Sequence, residues 1–106
     1  MIMTTTNDIH GKKITKSFGL VRGNTIRARH IGRDIMAGLK NIVGGEIFEY
    51  TKLMGEAREQ ALDRMTGEAQ TLGANAVIGV RFSTSVIMGG AAELLAYGTA
   101  VIVEDE

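Results

Sequence analysis

The segment Glu93–Glu104 reads E-L-L-A-Y-G-T-A-V-I-V-E and decides the fold class. It predicts a β-strand, in which successive side chains point to opposite faces. One face has Leu94, Ala96, Gly98, Ala100 and Ile102, and the other has Leu95, Tyr97, Thr99, Val101 and Val103. Because both faces are largely apolar, we expect both to be covered. One layer of helices covers only one face of a sheet, so we expect a second subunit on the other.

Two helices are predicted upstream of this strand. The stretch Asp34–Val43 predicts a short helix, because apolar residues at helical spacing follow an acidic start. The stretch Glu46–Leu72 predicts a long helix with an apolar stripe. The stripe consists of Ile47, Tyr50, Met54, Ala57, Ala61, Met65 and Leu72. At 1.5 Å per residue this helix is roughly 40 Å long, so it either bends near Gly55 or Gly67 or projects into an assembly.

The remaining segments are predicted to be extended. Residues 12–30 predict a strand, and Met1–Thr6 a short edge strand. The stretch Ala76–Val86 predicts a strand with Ile78, Val80 and Phe82 on one face and Gly79, Arg81, Ser83 and Ser85 on the other. Together the segments predict an α+β fold. It is a small two-layer unit with a mainly antiparallel sheet, one short helix and one long helix.

Composition limits the function classes. The chain has 106 residues, which predicts one domain spanning residues 1–106. It has no cysteine, which excludes disulfides, thiolate catalysis and iron–sulfur clusters. The first residues lack the basic and apolar regions of a signal peptide, and no apolar run approaches the ~20 residues of a transmembrane helix. We therefore predict a cytoplasmic protein without membrane contact.

Charge is divided between the two halves of the chain. Residues 1–42 have a balance of +6 and residues 43–106 a balance of −6, so the net charge is zero. The halves either neutralise each other within one subunit or meet across subunits, as in a head-to-tail ring. A nucleic-acid patch at residues 12–33 is not expected, because Phe18 is the single aromatic residue among those bases.

Four residues are candidate ligand contacts: His30, Arg33, Asp34 and Arg81. His30 and Asp34 are four residues apart and would hold a metal ion or shuttle a proton if a neighbouring subunit supplied further groups. The alternative is that His30 ends a strand and Asp34 caps a helix. Arg81 lies in a predicted strand and, if covered, needs a glutamate partner or a bound anion.

No catalytic residue is assigned from the sequence. The chain has no Gly-x-Ser-x-Gly, Walker or Gly-x-Gly-x-x-Gly motif. Soft metal ions prefer thiolate ligands, and the chain has none. Met54 and Met65 fall on the apolar stripe of the long helix, which favours a role in the core.

Several short motifs are distributed along nearly the whole chain. They are Ile31-Gly-Arg-Asp-Ile35, Asn41-Ile-Val-Gly-Gly45, Leu72-Gly-Ala-Asn-Ala-Val77, Gly79-Val-Arg81 and Tyr97-Gly-Thr-Ala-Val101. Together they resemble the YbjQ-like family over about residues 2–104. The resemblance implies a dodecin-like subunit fold and assembly as a pentameric ring. It also implies the family's label, "putative heavy-metal-binding".

Three functional hypotheses follow. The first is a non-enzymatic pentameric binding or scaffold protein whose ligand site lies between subunits and whose partner is its own copies. The second is a metal-ion-binding protein, as the family label suggests, and a metal is the only cofactor considered. The third is an enzyme that uses His30 with a carboxylate across a subunit interface.

Overall fold

A computed structural model describes residues 1–27, 45–88 and 91–106. The described elements, in chain order, are β1 (Ile2–Met3), β2 (Lys12–Arg27), α1 (Gly45–Leu72), β3 (Ala76–Met88) and β4 (Ala91–Asp105). The α+β prediction is confirmed. The predicted short helix Asp34–Val43 lies outside the described residues. None of the described helical residues form a segment long and apolar enough to cross a membrane.

The four strands form one mixed sheet in the order β1-β3-β4-β2. β4 is antiparallel to β3 on one side and to β2 on the other. The two-residue β1 pairs in parallel with the start of β3, so the predicted edge strand is confirmed, although it is shorter than predicted. β4, the strand from which the sequence analysis predicts the fold class, therefore lies inside the sheet between β3 and β2.

The long helix packs on one face of this sheet, mainly over β2. Ala57, Ala61, Met65 and Ala69 are fully buried at intervals of four residues. The approach to β2 is close: a Cβ atom at Gly23 would lie 2.3 Å from the carbonyl oxygen of Ala61 and 2.4 Å from the nitrogen of Met65. A side chain at position 23 would therefore push the helix off the strand.

The predicted bounds of α1 are confirmed within one residue. The predicted apolar stripe of this helix is confirmed in part. Leu72 is 45% exposed, because it ends the helix, whereas Ala69, which the prediction omitted, is buried. The helix is continuous through Gly55 and Gly67. At about 42 Å it fits only along the longest dimension of the 57 × 23 × 17 Å molecule.

The two faces of β4 are as predicted, but they are covered differently. The helix-facing side chains Leu94, Ala96 and Ala100 are buried under α1. On the opposite face, which we call the outer face, Val101 and Val103 are buried together with Ala76 under Ile9. Further along that face Leu95, Tyr97 and Thr99 are only partly buried. The described residues thus cover one end of the outer face and leave the rest accessible.

The predicted face pattern of β3 is wrong at Ile78. A β-bulge separates the pair Ile78–Thr99 from the pair Arg81–Tyr97, so that Gly79 and Val80 together oppose Gly98. Gly79 has a φ of 61°, the left-handed conformation that glycine adopts most readily. The extra residue reverses the alternation, so Ile78 shares the outer face with Arg81, whereas Val80 packs in the core under the helix.

Candidate functional site

Three of the four predicted ligand contacts, His30, Arg33 and Asp34, lie outside the described residues. The enzyme hypothesis rests on His30 and therefore also lies outside them. Arg81 is described, and it is exposed on the outer face of β3. Of the four predicted contacts, Arg81 is therefore the one that the described residues place on the sheet.

The guanidinium of Arg81 is held by backbone carbonyls. Its Nη1 donates to the oxygen of Thr5 at 2.8 Å and to the oxygen of Val80 at 2.8 Å. The glutamate partner that the sequence analysis considered is not found among the described residues. Because Arg81 is exposed, its charge does not need a buried counter-ion, and the carbonyl oxygens satisfy one end of the group.

The N-terminal segment brings Thr5 to this position. The bulge turns the nitrogens of Gly79 and Val80 toward the sheet edge, where they donate to the oxygens of Thr6 and Thr4 at 2.8 and 3.0 Å. The Thr6 hydroxyl in turn donates to the oxygen of Asp8. The bulge therefore does two things: it ties the N-terminal segment to β3 and it places Arg81 on the outer face.

Arg81 belongs to a row of three residues across the sheet. Tyr97 on β4 is paired with Arg81 on β3 and with Arg22 on β2. Arg22 is exposed and Tyr97 is partly buried. The sequence analysis missed Arg22 and Tyr97, because the registers of three strands bring them together and no local motif encodes those registers.

One ion pair joins the oppositely charged halves of the chain in the described residues. Lys12, at the start of β2, contacts Asp105, at the end of β4. The hydrogen bond from Lys12, followed by its charge, lowers the pKa of Asp105 from its ordinary value of 3.8. This exposed pair supports neutralisation within one subunit at that end of the sheet, but it does not involve the charges of the candidate site.

The metal-ligating His, Asp and Glu side chains of the described residues are not clustered. No group of three or more His, Asp or Glu side chains in the described ranges is arranged to hold a metal. Met65 is fully buried in the core, as predicted, and Met54 is partly buried on the same helix. A sulfur atom enclosed by packed side chains has no open position for a soft metal ion.

A family profile described as "Putative heavy-metal-binding" matches residues 1–104 of this chain. The chain belongs to the YbjQ family. It is 64% identical to a UPF0145 protein of Dehalococcoides mccartyi strain 195, over 98% of this chain and the whole of that protein. It is 58% identical to a UPF0145 protein of Methanosarcina acetivorans, over 95% of each chain. The resemblance drawn from the short motifs is thus confirmed over nearly the full length.

A solved structure supports the fold of this YbjQ family member. The crystal structure of a protein of unknown function of the DUF74 family from Pediococcus pentosaceus superposes with a TM-score of 0.65. It is 18% identical in sequence, and the match covers 98% of each chain. At this identity the similarity speaks for the fold, and function has to be argued from the site.

Proposed function

We propose that this protein is a non-enzymatic binding or scaffold protein of the cytoplasm that forms a homopentameric ring with its ligand site between subunits. The observation that supports this most is the outer face of the sheet. There, Leu20 and Ile26 on β2 are 62% and 54% exposed, at positions paired with Thr99 and Glu93 of β4. Apolar surface of this kind is stabilised when a second subunit removes it from water.

The sheet edges support the same proposal. β2 is an edge strand, and on the other side β1 pairs only with Ala76 and Val77 at the start of β3. In the described part of the chain, no strand pairs with the free edge of β2, and none pairs with the edge of β3 that faces away from β4 beyond Arg81. Unpaired edges are templates for pairing with another chain. Two different edges on one subunit favour head-to-tail contacts, which close into rings, and the family resemblance implies five subunits.

The double variant Leu20→Glu/Ile26→Glu tests this proposal. Placing two carboxylates on the outer face is expected to reduce the mass measured by light scattering from an oligomer to a monomer. The helix signal in circular dichroism should persist, because neither side chain packs under α1. Leu72→Glu is the matched control, since Leu72 is 45% exposed at the far end of α1 and should leave the mass unchanged. A double variant that retains the wild-type mass would contradict the proposal.

The metal-ion hypothesis remains as an alternative, motivated by the description of the family profile that matches residues 1–104. Its test is the metal content of protein purified without an affinity tag, followed by uptake of zinc, copper and nickel. A stoichiometry near one metal per subunit would favour this alternative over the scaffold. A stoichiometry near zero with no uptake would contradict it.

A further inference from the structure

The free edge of β2 presents the backbone groups of every second residue. The carbonyl oxygen of Val101 accepts a hydrogen bond from the nitrogen of Asn75, so the backbone groups of Val101 point to the β3 side of β4. The bulges of this sheet lie in β2 and β3, so every second residue along β4 points the same way as Val101. The β2 residues paired with those positions therefore point their N–H and C=O groups away from β4, to the free edge. They are Leu20, Arg22 and Asn24.

Arg64 of α1 closes one of these three edge positions. Its Nη1 donates a hydrogen bond to the carbonyl oxygen of Asn24. The helix passes close to the strand here, because a Cβ atom at Gly23 would lie 2.7 Å from the Cβ atom of Arg64. A strand added at Asn24 would have to displace the guanidinium group, whose charge-assisted bond is stronger than a bond between neutral groups. The free edge of β2 is therefore closed at Asn24.

The edge is open between the closed position and the nearest bulge of β2. That bulge lies just before Gly19, which has a φ of 89°, and a bulge interrupts the ladder of backbone bonds. After it, the edge-facing backbone groups of Leu20 and Arg22 have no partner among the described residues. The open stretch is therefore Gly19–Arg22. It is long enough for a two-residue strand, the length of β1.

Charge and exposed apolar area favour a second copy of the chain as the partner of this edge. The positive side chains of β2 without an ion pair to any described residue include Lys13, Lys16 and Arg22. The exposed carboxylates of α1 that also lack such a pair include Glu56, Glu59 and Asp63. One copy therefore offers negative charge to the unpaired positive charge of another. Leu20, which is 62% exposed, adds apolar area that the same contact removes from water.

We infer that an extended segment of a second copy pairs with β2 at Leu20 and Arg22, and that Arg64 ends this pairing at Asn24. The inference rests on the proposed ring and deepens it by naming the edge at which neighbouring subunits meet. Backbone bonds at two residues contribute little affinity by themselves. The apolar contact on the outer face therefore holds the subunits together, and the β2 edge fixes their relative position.

A matched pair of variants at position 22 tests the pairing. Arg22→Ala and Arg22→Pro both remove the guanidinium group, but only proline also removes the edge-facing N–H. The bonds between β2 and β4 persist, because this N–H points away from β4 and edge strands tolerate proline at such positions. We expect the oligomer of Arg22→Pro to dissociate at an about tenfold higher protein concentration than that of Arg22→Ala. Sedimentation velocity on a dilution series measures this, and circular dichroism checks that both variants fold.

Arg64→Ala tests the closed position independently, and it decides the question by itself if Arg22→Pro does not fold. With the carbonyl oxygen of Asn24 uncovered, the pairing extends by one position. We therefore expect the oligomer to dissociate at an about fivefold lower protein concentration than the wild type. Arg58→Ala is the matched control, because it removes an exposed arginine from the same helix and should behave as the wild type does.

Two results would overturn the inference. One is equal dissociation of Arg22→Pro and Arg22→Ala, which would mean that the subunit itself fills the edge or that no strand does. The other is equal dissociation of Arg64→Ala and the wild type. A native mass spectrum of the wild type distinguishes these failures from a failure of the proposed function. A pentamer whose variants dissociate equally would retain the ring and remove the pairing, whereas a monomer would contradict both.

Discussion

The two faces of the sheet are built from the same strands but differ in how completely the described residues cover them. On the helix-facing side, small residues such as Gly23, Ala96 and Ala100 let α1 lie directly on the backbone, and the core there is closed. On the outer face, larger residues such as Leu20 and Ile26 remain exposed. Apolar alternation in a strand therefore predicts that a face of the sheet is covered, whereas the size of the side chains on that face decides how closely the covering layer approaches the backbone.

The largest expected effect on stability follows from the close contact between α1 and the helix-facing side of β2. Gly23→Ala places a Cβ atom within 2.7 Å of Ala61, Arg64 and Met65, so the helix must move away from β2. We expect a loss of about 3 kcal/mol or more in the free energy of unfolding, measured by chemical denaturation. Gly67→Ala is the control, because no atom lies within 4 Å of its Cβ position. Equal stability of the two variants would show that the helix does not rest on β2.

A pair of truncations compares the two faces directly. Met65→Ala removes a fully buried side chain from the core and should cost about 2–5 kcal/mol. Leu20→Ala removes a side chain that is 62% exposed, and it should change the unfolding free energy of the isolated subunit by less than about 0.5 kcal/mol. Denaturation at a protein concentration low enough to keep subunits apart provides the measurement. A large cost for Leu20→Ala under those conditions would mean that the subunit itself covers the outer face.

The buried hydroxyl of Thr25 gives a smaller effect. Thr25 is 2% exposed under the helix, and its Oγ1 donates to the oxygen of Ala57 at 3.2 Å. Thr25→Val keeps the shape and removes this bond, which should cost about 1 kcal/mol in thermal or chemical unfolding. The control is Thr66→Val, which removes an exposed bond within the helix and should cost less. A neutral Thr25→Val would indicate that the helix is held to β2 by packing alone.

The smallest expected effect is at the exposed ion pair between Lys12 and Asp105. Because Lys12 lowers the pKa of Asp105 below 3.8, the pair stabilises the fold above the ordinary pKa of aspartate. That contribution is lost as the pH falls below 3.8 and through the lowered value. An NMR titration should show the Asp105 pKa returning toward 3.8 in Lys12→Gln. An unchanged pKa in the variant would remove Lys12 as the cause.

Much of the fold follows from sequence periodicity, and the exceptions have identifiable physical causes. Both faces of β4 and the bounds of α1 are predicted correctly, because the spacing of apolar residues over a long segment indicates which side chains share a buried face. The face of Ile78 is not, because one residue in a left-handed conformation at Gly79 reverses the alternation beyond it. On β2, polar Thr25 faces the helix and apolar Ile26 faces outward, so apolar character alone does not identify the buried face of that strand.

The candidate site is predicted only in part. Arg81 is selected from the sequence because a charged residue interrupts an apolar strand, but its carbonyl partners depend on the N-terminal segment reaching the bulge. Arg22 and Tyr97 are 75 residues apart in the chain and meet through strand pairing alone. Such a row becomes visible only when the register of the sheet is known.

The measurement that tests the account most directly is a native mass spectrum of tag-free protein at micromolar concentration. In the proposed ring, another copy of the chain completes the outer face of the sheet. We expect a pentamer, from which Leu20→Glu/Ile26→Glu releases monomers. A wild-type spectrum with the monomer alone would contradict it, because the exposed apolar residues of the outer face would then have no partner subunit.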